Sequence, residues 1–132
     1  MHIALQVVND IPKPLSAGFP RSARLRKHAD FQAVYHEGRK RFSESVTVFF
    51  RERRDDAGPR VGFTVGKMLG GAVERNRIRR RLRAVARRRL SLLTGPIDVV
   101  MHPRKSVLNL GFQKLDSEVR ELFAAIEKGR AR

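Results

Sequence analysis

The chain has 132 residues, with 29 lysines and arginines against 13 acidic residues and a formal net charge of +16. That length predicts one principal domain, the 41% hydrophobic content excludes a disordered tail, and the charge predicts a polyanionic partner. Cysteine is absent, which removes disulfides, thiolate zinc sites and cysteine nucleophiles and fits a reducing cytoplasm, and no apolar run approaches the roughly 18 residues of a membrane span.

Residues 1–20 carry Pro12, Pro14, Gly18 and Pro20, which break any helix and predict a flexible extension. The opening lacks both the basic start and the long apolar stretch of a signal peptide. From Ser22 to Glu37, Phe31, Val34 and Tyr35 fall at helical spacing, and Gly38 suits a left-handed turn after the helix. Residues 44–51 alternate, so Val46, Val48 and Phe50 share one face of a strand and Thr47 and Phe49 the other. After the turn "RERRDDAGP", residues 60–66 form a second alternating strand. Val61, Phe63 and Val65 point one way, and Gly62, Thr64 and Gly66 leave the opposite face nearly bare. Such glycines mark either close approach by a ligand or backbone, or a plain packing need.

A long helix follows Gly70 and Gly71 and runs to about Leu93, before Gly95 and Pro96. Its apolar stripe is Ile78, Leu82, Val85 and Ala86. From Arg75 to Leu90 it holds nine arginines and no acid, so it cannot neutralise itself. Arg75, Arg79, Arg83 and Arg87 form a ridge on one side of the stripe, Arg77, Arg81 and Arg88 flank the other, Arg80 faces outward, and Arg89 snorkels from the apolar side. Forked, permanently charged guanidiniums match phosphate oxygens, so the stripe holds the helix on the sheet while its flanks meet a polynucleotide. A solvated face and an anionic lipid surface are the alternatives. The glycine entry exposes helix N–H groups suited to phosphate, and Glu74 equally suits ordinary capping.

Residues 97–102 make a further strand, and residues 111–128 a last amphipathic helix with Leu115, Val119, Leu122, Phe123 and Ile126 on its core face. This order implies an α+β sandwich whose two longer helices cover one sheet face. If the first helix crosses the other face, Phe31, Tyr35 and Phe49 border a groove floored by the bare glycine positions, where rings beside Arg26, Lys27, Arg39, Lys40 and Arg41 suit unpaired bases. A second small core is the alternative. The four histidines lack metal-ligand spacing, and no paired carboxylates, P-loop or zinc signature occurs. From its residues the chain reads as a nucleic-acid-binding domain without a catalytic centre of its own.

The segment Lys67, Gly70, Ala72, Val73, Arg75, Asn76, Arg77, Arg79, Arg80 and Arg83 resembles the hallmark of bacterial ribonuclease P proteins. "RLRKHADFQAVYHEGR" resembles the family's first helix, "RVGFTVGK" the strand entering the hallmark, and "DVVMHPRK" its later strand, so the likeness covers about residues 24–128. The resemblance implies an α+β two-layer sandwich. It has an about four-stranded mixed sheet, a long arginine-rich helix in a left-handed β-α-β crossover, and N- and C-terminal helices. It divides the chain into an extension (1–20), an RNA-binding domain (21–128) and a basic tail (129–132).

The implied role is that of the cytoplasmic protein subunit of an endonuclease that removes 5′ leaders from precursor tRNAs. The cleavage is carried out by a catalytic RNA with magnesium bound mainly by that RNA, and no small-molecule cofactor or membrane is involved. By position, Arg75, Asn76, Arg77, Arg79, Arg80 and Arg83 would face the catalytic RNA, with Lys67 and Arg87 beside them. Phe31, Tyr35, Phe49 and Arg104 would hold the single-stranded leader. A ribosomal-type RNA-binding protein or RNA chaperone is the alternative function, and a self-sufficient nuclease is disfavoured by the lack of a carboxylate cluster.

Overall fold

Alternating apolar residues build the centre of the molecule, and the computed structural model describes residues 19–130. In chain order the elements are α1 (His28–Glu37), β1 (Arg39–Phe42), β2 (Val46–Glu52), β3 (Arg60–Phe63), α2 (Ala72–Arg89), β4 (Ile97–Pro103) and α3 (Phe112–Arg130). The strands form a mixed sheet in the order β1-β2-β4-β3. β2 pairs antiparallel with both β1 and β4, while β3 and β4 run parallel. Parallel neighbours need a crossover, and α2 supplies it, giving the β-α-β unit at the heart of the fold.

Val46, Val48 and Phe50 of β2 join Ile97, Val99 and Met101 of β4 and Val61 of β3 on one sheet face. α2 and α3 cover that face. They bury Ile78, Leu82, Val85 and Ala86 from α2 and Leu115, Val119, Leu122, Phe123 and Ile126 from α3, as the helical spacing predicts. Each fully buried large aliphatic side chain contributes about 1.5–3 kcal/mol, so this stripe fixes α2 and orients its charged sides. α1 packs on the opposite face through Val34, with Leu25 and Val100, and Phe31, Tyr35 and Phe49 close around them.

Several local expectations change. The helix expected from Ser22 begins only at His28, because the incoming chain is held beside β3: the Leu25 N–H donates to the Val61 carbonyl at 3.0 Å and Arg24 bridges to Val61. Gly38 does not take a left-handed turn; it is extended, with φ −88° and ψ 176°. A Cβ there would lie 2.4 Å from the Val34 carbonyl oxygen and 2.5 Å from that of Phe50, so close approach demands the glycine. β1 has no alternating apolar pattern and forms by pairing with β2.

Residues 1–18 of the expected extension lie outside the described residues, but Phe19 is 1% exposed and belongs to the main core, with its ring 6.1 Å from that of Phe63. At the other end, Gly129 and Arg130 of the expected tail complete α3. Arg130 joins the Thr94 carbonyl and the Glu127 and Glu52 carboxylates, while residues 131 and 132 lie outside the described residues.

Candidate nucleic-acid interface

α2 begins where Gly70 takes φ 127°, a conformation that side-chain-bearing residues rarely adopt. The Glu74 carboxylate turns back to accept the Gly71 N–H at 2.9 Å, so the helix start is capped from within. Beyond this cap the buried stripe sends the arginines to both sides. Arg77 and Arg80 are exposed, and Arg75, Arg79, Arg83 and Arg87 are half-buried along the ridge. None of these six has a carboxylate within ion-pair distance among the described residues. Arg79 instead donates to the Asn76 side-chain oxygen at 2.9 Å, one helical turn back. Arg83 lies 5.9 Å from the Phe63 ring centroid. Burial, reinforced by the charges of Arg24 and Arg79, lowers the pKa of Arg83. Lys67 is exposed on the single 3-10 turn Lys67–Leu69 that enters this region, next to the 96% exposed Met68.

Of the arginines expected on the opposite flank, Arg77 shares this exposure, whereas Arg81 and Arg88 behave differently, as does Arg89. Arg81 donates to the Leu110 carbonyl, and burial followed by the charge of Arg77 lowers its pKa. Arg88 lies 3.6 Å from Asp116 of α3, and Arg89 grips both oxygens of that carboxylate at 2.8 and 2.6 Å. The expected snorkelling of Arg89 is thus a fork-to-fork ion pair, which joins α2 to α3. Burial pushes the Asp116 carboxyl up, but the hydrogen bonds and charge of Arg89, with Arg88 and Arg120, hold it below its ordinary value.

Strand parity assembles the second region, on the α1 side of the sheet. Phe31 lies over Gly62, where a Cβ would come within 2.6 Å of its ring. The bare strand position is therefore filled by the ring itself, and the groove expected over Gly62 is narrower than the sequence suggests. Phe31, Tyr35 and Phe49 all remain partly exposed. Tyr35 and Phe49 meet edge to face at 5.3 Å and 89°. The Tyr35 hydroxyl is held by Thr64 Oγ1 at 2.8 Å and His102 Nε2 at 2.6 Å. His102 also packs against Phe49, with ring centroids 4.9 Å apart, and burial lowers its pKa so that the neutral ring is favoured. At the end of the same face Arg104 donates to the Ser43 and Glu44 carbonyls at 3.0 and 3.2 Å and to Thr47 Oγ1 at 3.1 Å.

His102 and Thr64 were not singled out from the sequence as parts of this site. Spacing along the chain does not relate His102 to anything, but register does, because Thr47 faces His102 across β2 and β4 on the Phe49 side of the sheet. Among the described residues, no group of three or more His, Asp or Glu side chains is placed to hold a metal ion. Among the described residues, too, no helix is long and apolar enough to cross a membrane.

This surface of uncompensated arginines beside a half-covered aromatic face sits in a chain whose sequence and fold are similar to those of known proteins. The family model described as "Ribonuclease P" matches residues 19–127. A ribonuclease P protein component from Acidothermus cellulolyticus is 35% identical over 108 residues, covering 81% of this chain and 90% of that protein. The RNase P protein from Thermotoga maritima superposes with a TM-score of 0.69 at 28% identity, over 77% of this chain and 96% of that one. An RNase P protein from Staphylococcus aureus does so with a TM-score of 0.69 at 25% identity, over 79% and 94% of the two chains. With the sequence match running through both the arginine helix and the aromatic face, this chain belongs to the ribonuclease P protein family.

Proposed function

We propose that this protein is the RNA-binding subunit that assists a catalytic RNA in removing 5′ leaders from precursor tRNAs in the cytoplasm. One observation carries the reading. Six arginines fan from a helix whose apolar stripe is fully buried, and none has a carboxylate partner among the described residues. Phosphates of a folded RNA supply the missing counter-charge, and release of the RNA's condensed counterions drives the association. Arg75, Asn76, Arg77, Arg79, Arg80, Arg83, Arg87 and Lys67 form this RNA-facing surface. Asn76 orients Arg79 through their hydrogen bond.

The aromatic face receives the leader, a single strand whose unpaired bases stack on the open parts of Phe31, Tyr35 and Phe49 while Arg104 meets its backbone. The hydrogen bonds with Thr64 and His102 fix the far end of the Tyr35 side chain and the Phe49 ring packs against its ring, so the stacking surface is in place before the strand arrives. Hydrolysis belongs to the catalytic RNA and its magnesium. The described residues of the protein present no group of three or more acidic or histidine side chains that could hold such an ion.

The test is equilibrium binding of precursor tRNA, with and without its leader, to the complex of this protein and its catalytic RNA. The reading expects tighter binding of the leader-bearing RNA and stimulation of cleavage at low magnesium. Equal affinities without stimulation would instead indicate a structural RNA binder of the ribosomal or chaperone type. Cleavage by the isolated protein would overturn the assignment of chemistry to the RNA.

A further inference from the structure

β1 is an edge strand of sequence Arg39, Lys40, Arg41, Phe42, and every one of its residues is exposed. Charged residues on an edge are ordinary protection against pairing with another strand. Phe42 is the opposite of protective: its large apolar ring is 64% exposed at the end of that edge. A lone exposed phenylalanine is unremarkable by itself. Its position sets this one apart. Lys40 lies opposite Phe49 and Phe42 opposite Thr47, and Thr47 in turn lies opposite His102. Lys40 and Phe42 therefore share the sheet face of Phe49 and His102, whereas Arg39 turns to the other face, 5.3 Å from the Phe50 ring. The Lys40 ammonium sits between the two aromatics, 5.8 Å from the Phe49 ring centroid and 5.9 Å from that of Phe42.

We propose that Phe42 is a second, distal stacking position for single-stranded RNA, joined to the Phe49 cleft by the Lys40 ammonium. Phe42 and Phe49 are diagonal neighbours on adjacent strands, about 7–8 Å apart by sheet geometry. Among the described residues the two rings make no contact with each other and the Lys40 ammonium lies near both, an arrangement that suits successive bases of one extended strand. A base over Phe49, a phosphate on Lys40 and a further base over Phe42 would carry the strand from the α1 cleft out across the sheet edge. Stacking accepts any base, so the subsite should set how much leader is gripped rather than which sequence. A second copy of this chain is a poor occupant, since it would bring its own three cations against this edge. The proposal rests on the leader-binding reading above and adds a length dependence to it.

The experiment compares the wild-type chain with Phe42→Ala and Phe42→Trp, each assembled with the catalytic RNA, on precursors whose leaders are shortened one nucleotide at a time from the 5′ end. Phe42→Ala is expected to weaken binding of long-leader precursors about five- to one-hundred-fold, and to match wild type once the leader is too short to reach β1. Phe42→Trp should restore affinity. Because the sequence contains no tryptophan, its fluorescence should also be quenched by long leaders and not by short ones. If wild type distinguishes leader lengths and Phe42→Ala follows it at every length, the distal subsite is overturned and the cleft reading stands. If wild type shows no leader dependence at all, both fail. A loss that is equal on leaderless RNA would overturn the subsite by assigning Phe42 to a contact with the catalytic RNA or the body of the tRNA.

Discussion

From Arg75 to Arg83 the helix α2 presents guanidiniums with no carboxylate partner within the described residues, except that Arg81 turns in to a backbone carbonyl, whereas at its C-terminal end Arg88 and Arg89 share the carboxylate of Asp116. The side chains are the same and their surroundings decide their use. Asp116 of α3 stands beside the C-terminal end of α2, so Arg88 and Arg89 there lock two helices together. The N-terminal arginines, together with Arg87 on the same ridge, are left for an external anion. An arginine run is thus two devices, one holding the scaffold and one reading the partner.

The most severe way to break the scaffold side lies off α2, at an extreme example of the same clamping. Asp98 is fully buried on β4 and takes Arg53 at 2.6 Å and Arg60 at 2.8 Å through both oxygens. Asp98→Ala removes the one buried carboxylate shared by two guanidiniums, leaving Arg53 to Asp55 and the Gly58 carbonyl and Arg60 to Asp30, and should cost about 3 kcal/mol in denaturant unfolding. A loss below about 1 kcal/mol would show that the cluster is not holding β3 to β4. Asp116→Ala removes charge-assisted hydrogen bonds from a less enclosed site, so about 2 kcal/mol is expected from the same measurement. It should leave RNA affinity of the folded protein intact or slightly raised, since a carboxylate that neutralises this end of α2 is lost. A fall in that affinity would contradict the division of labour along α2.

The mildest prediction concerns pH. The folded pKa of His102 lies below its usual value of 6.5, so the unfolded chain takes up this proton first. The stability tied to His102 is complete above about pH 6.5 and declines as pH falls through the folded value. A second loss follows below about pH 4.5, where Glu118 and Glu127 are held below the ordinary 4.5. Burial raises both; hydrogen bonds from Ser43 and Ser45 for Glu118, and from Thr94 with the charge of Arg130 for Glu127, outweigh it. His102→Gln should erase the first loss and leave the second. Persistence of the first in this variant would remove His102 as its cause.

How much of this was legible in the sequence depended on whether a feature is set locally. The stripe Ile78, Leu82, Val85 and Ala86 and the parity of Val46, Val48 and Phe50 follow from the period of one element, and both were readable. β1 was not, because "RKRF" has no apolar alternation and becomes a strand only by pairing with β2. Gly38 was recognised as special for the wrong reason, since its constraint is the nearness of the Val34 and Phe50 carbonyls rather than a positive φ. The partners of Arg81, Arg88 and Arg89 lie on Leu110 and Asp116, more than twenty residues away, and a helical wheel cannot show them. His102 belongs to the aromatic face through cross-strand register, which needs the sheet order before it can be used.

The most direct test of the division along α2 is the salt dependence of binding to the catalytic RNA, measured for wild type, for Arg79→Ala with Arg80→Ala, and for Arg88→Ala with Arg89→Ala. The first pair should flatten the log–log slope by about 1.4–1.8, the release expected for two lost phosphate contacts. The second pair should leave the slope unchanged while lowering stability. An unchanged slope for Arg79 and Arg80, or the larger flattening from Arg88 and Arg89, would contradict the assignment of the N-terminal arginines to RNA.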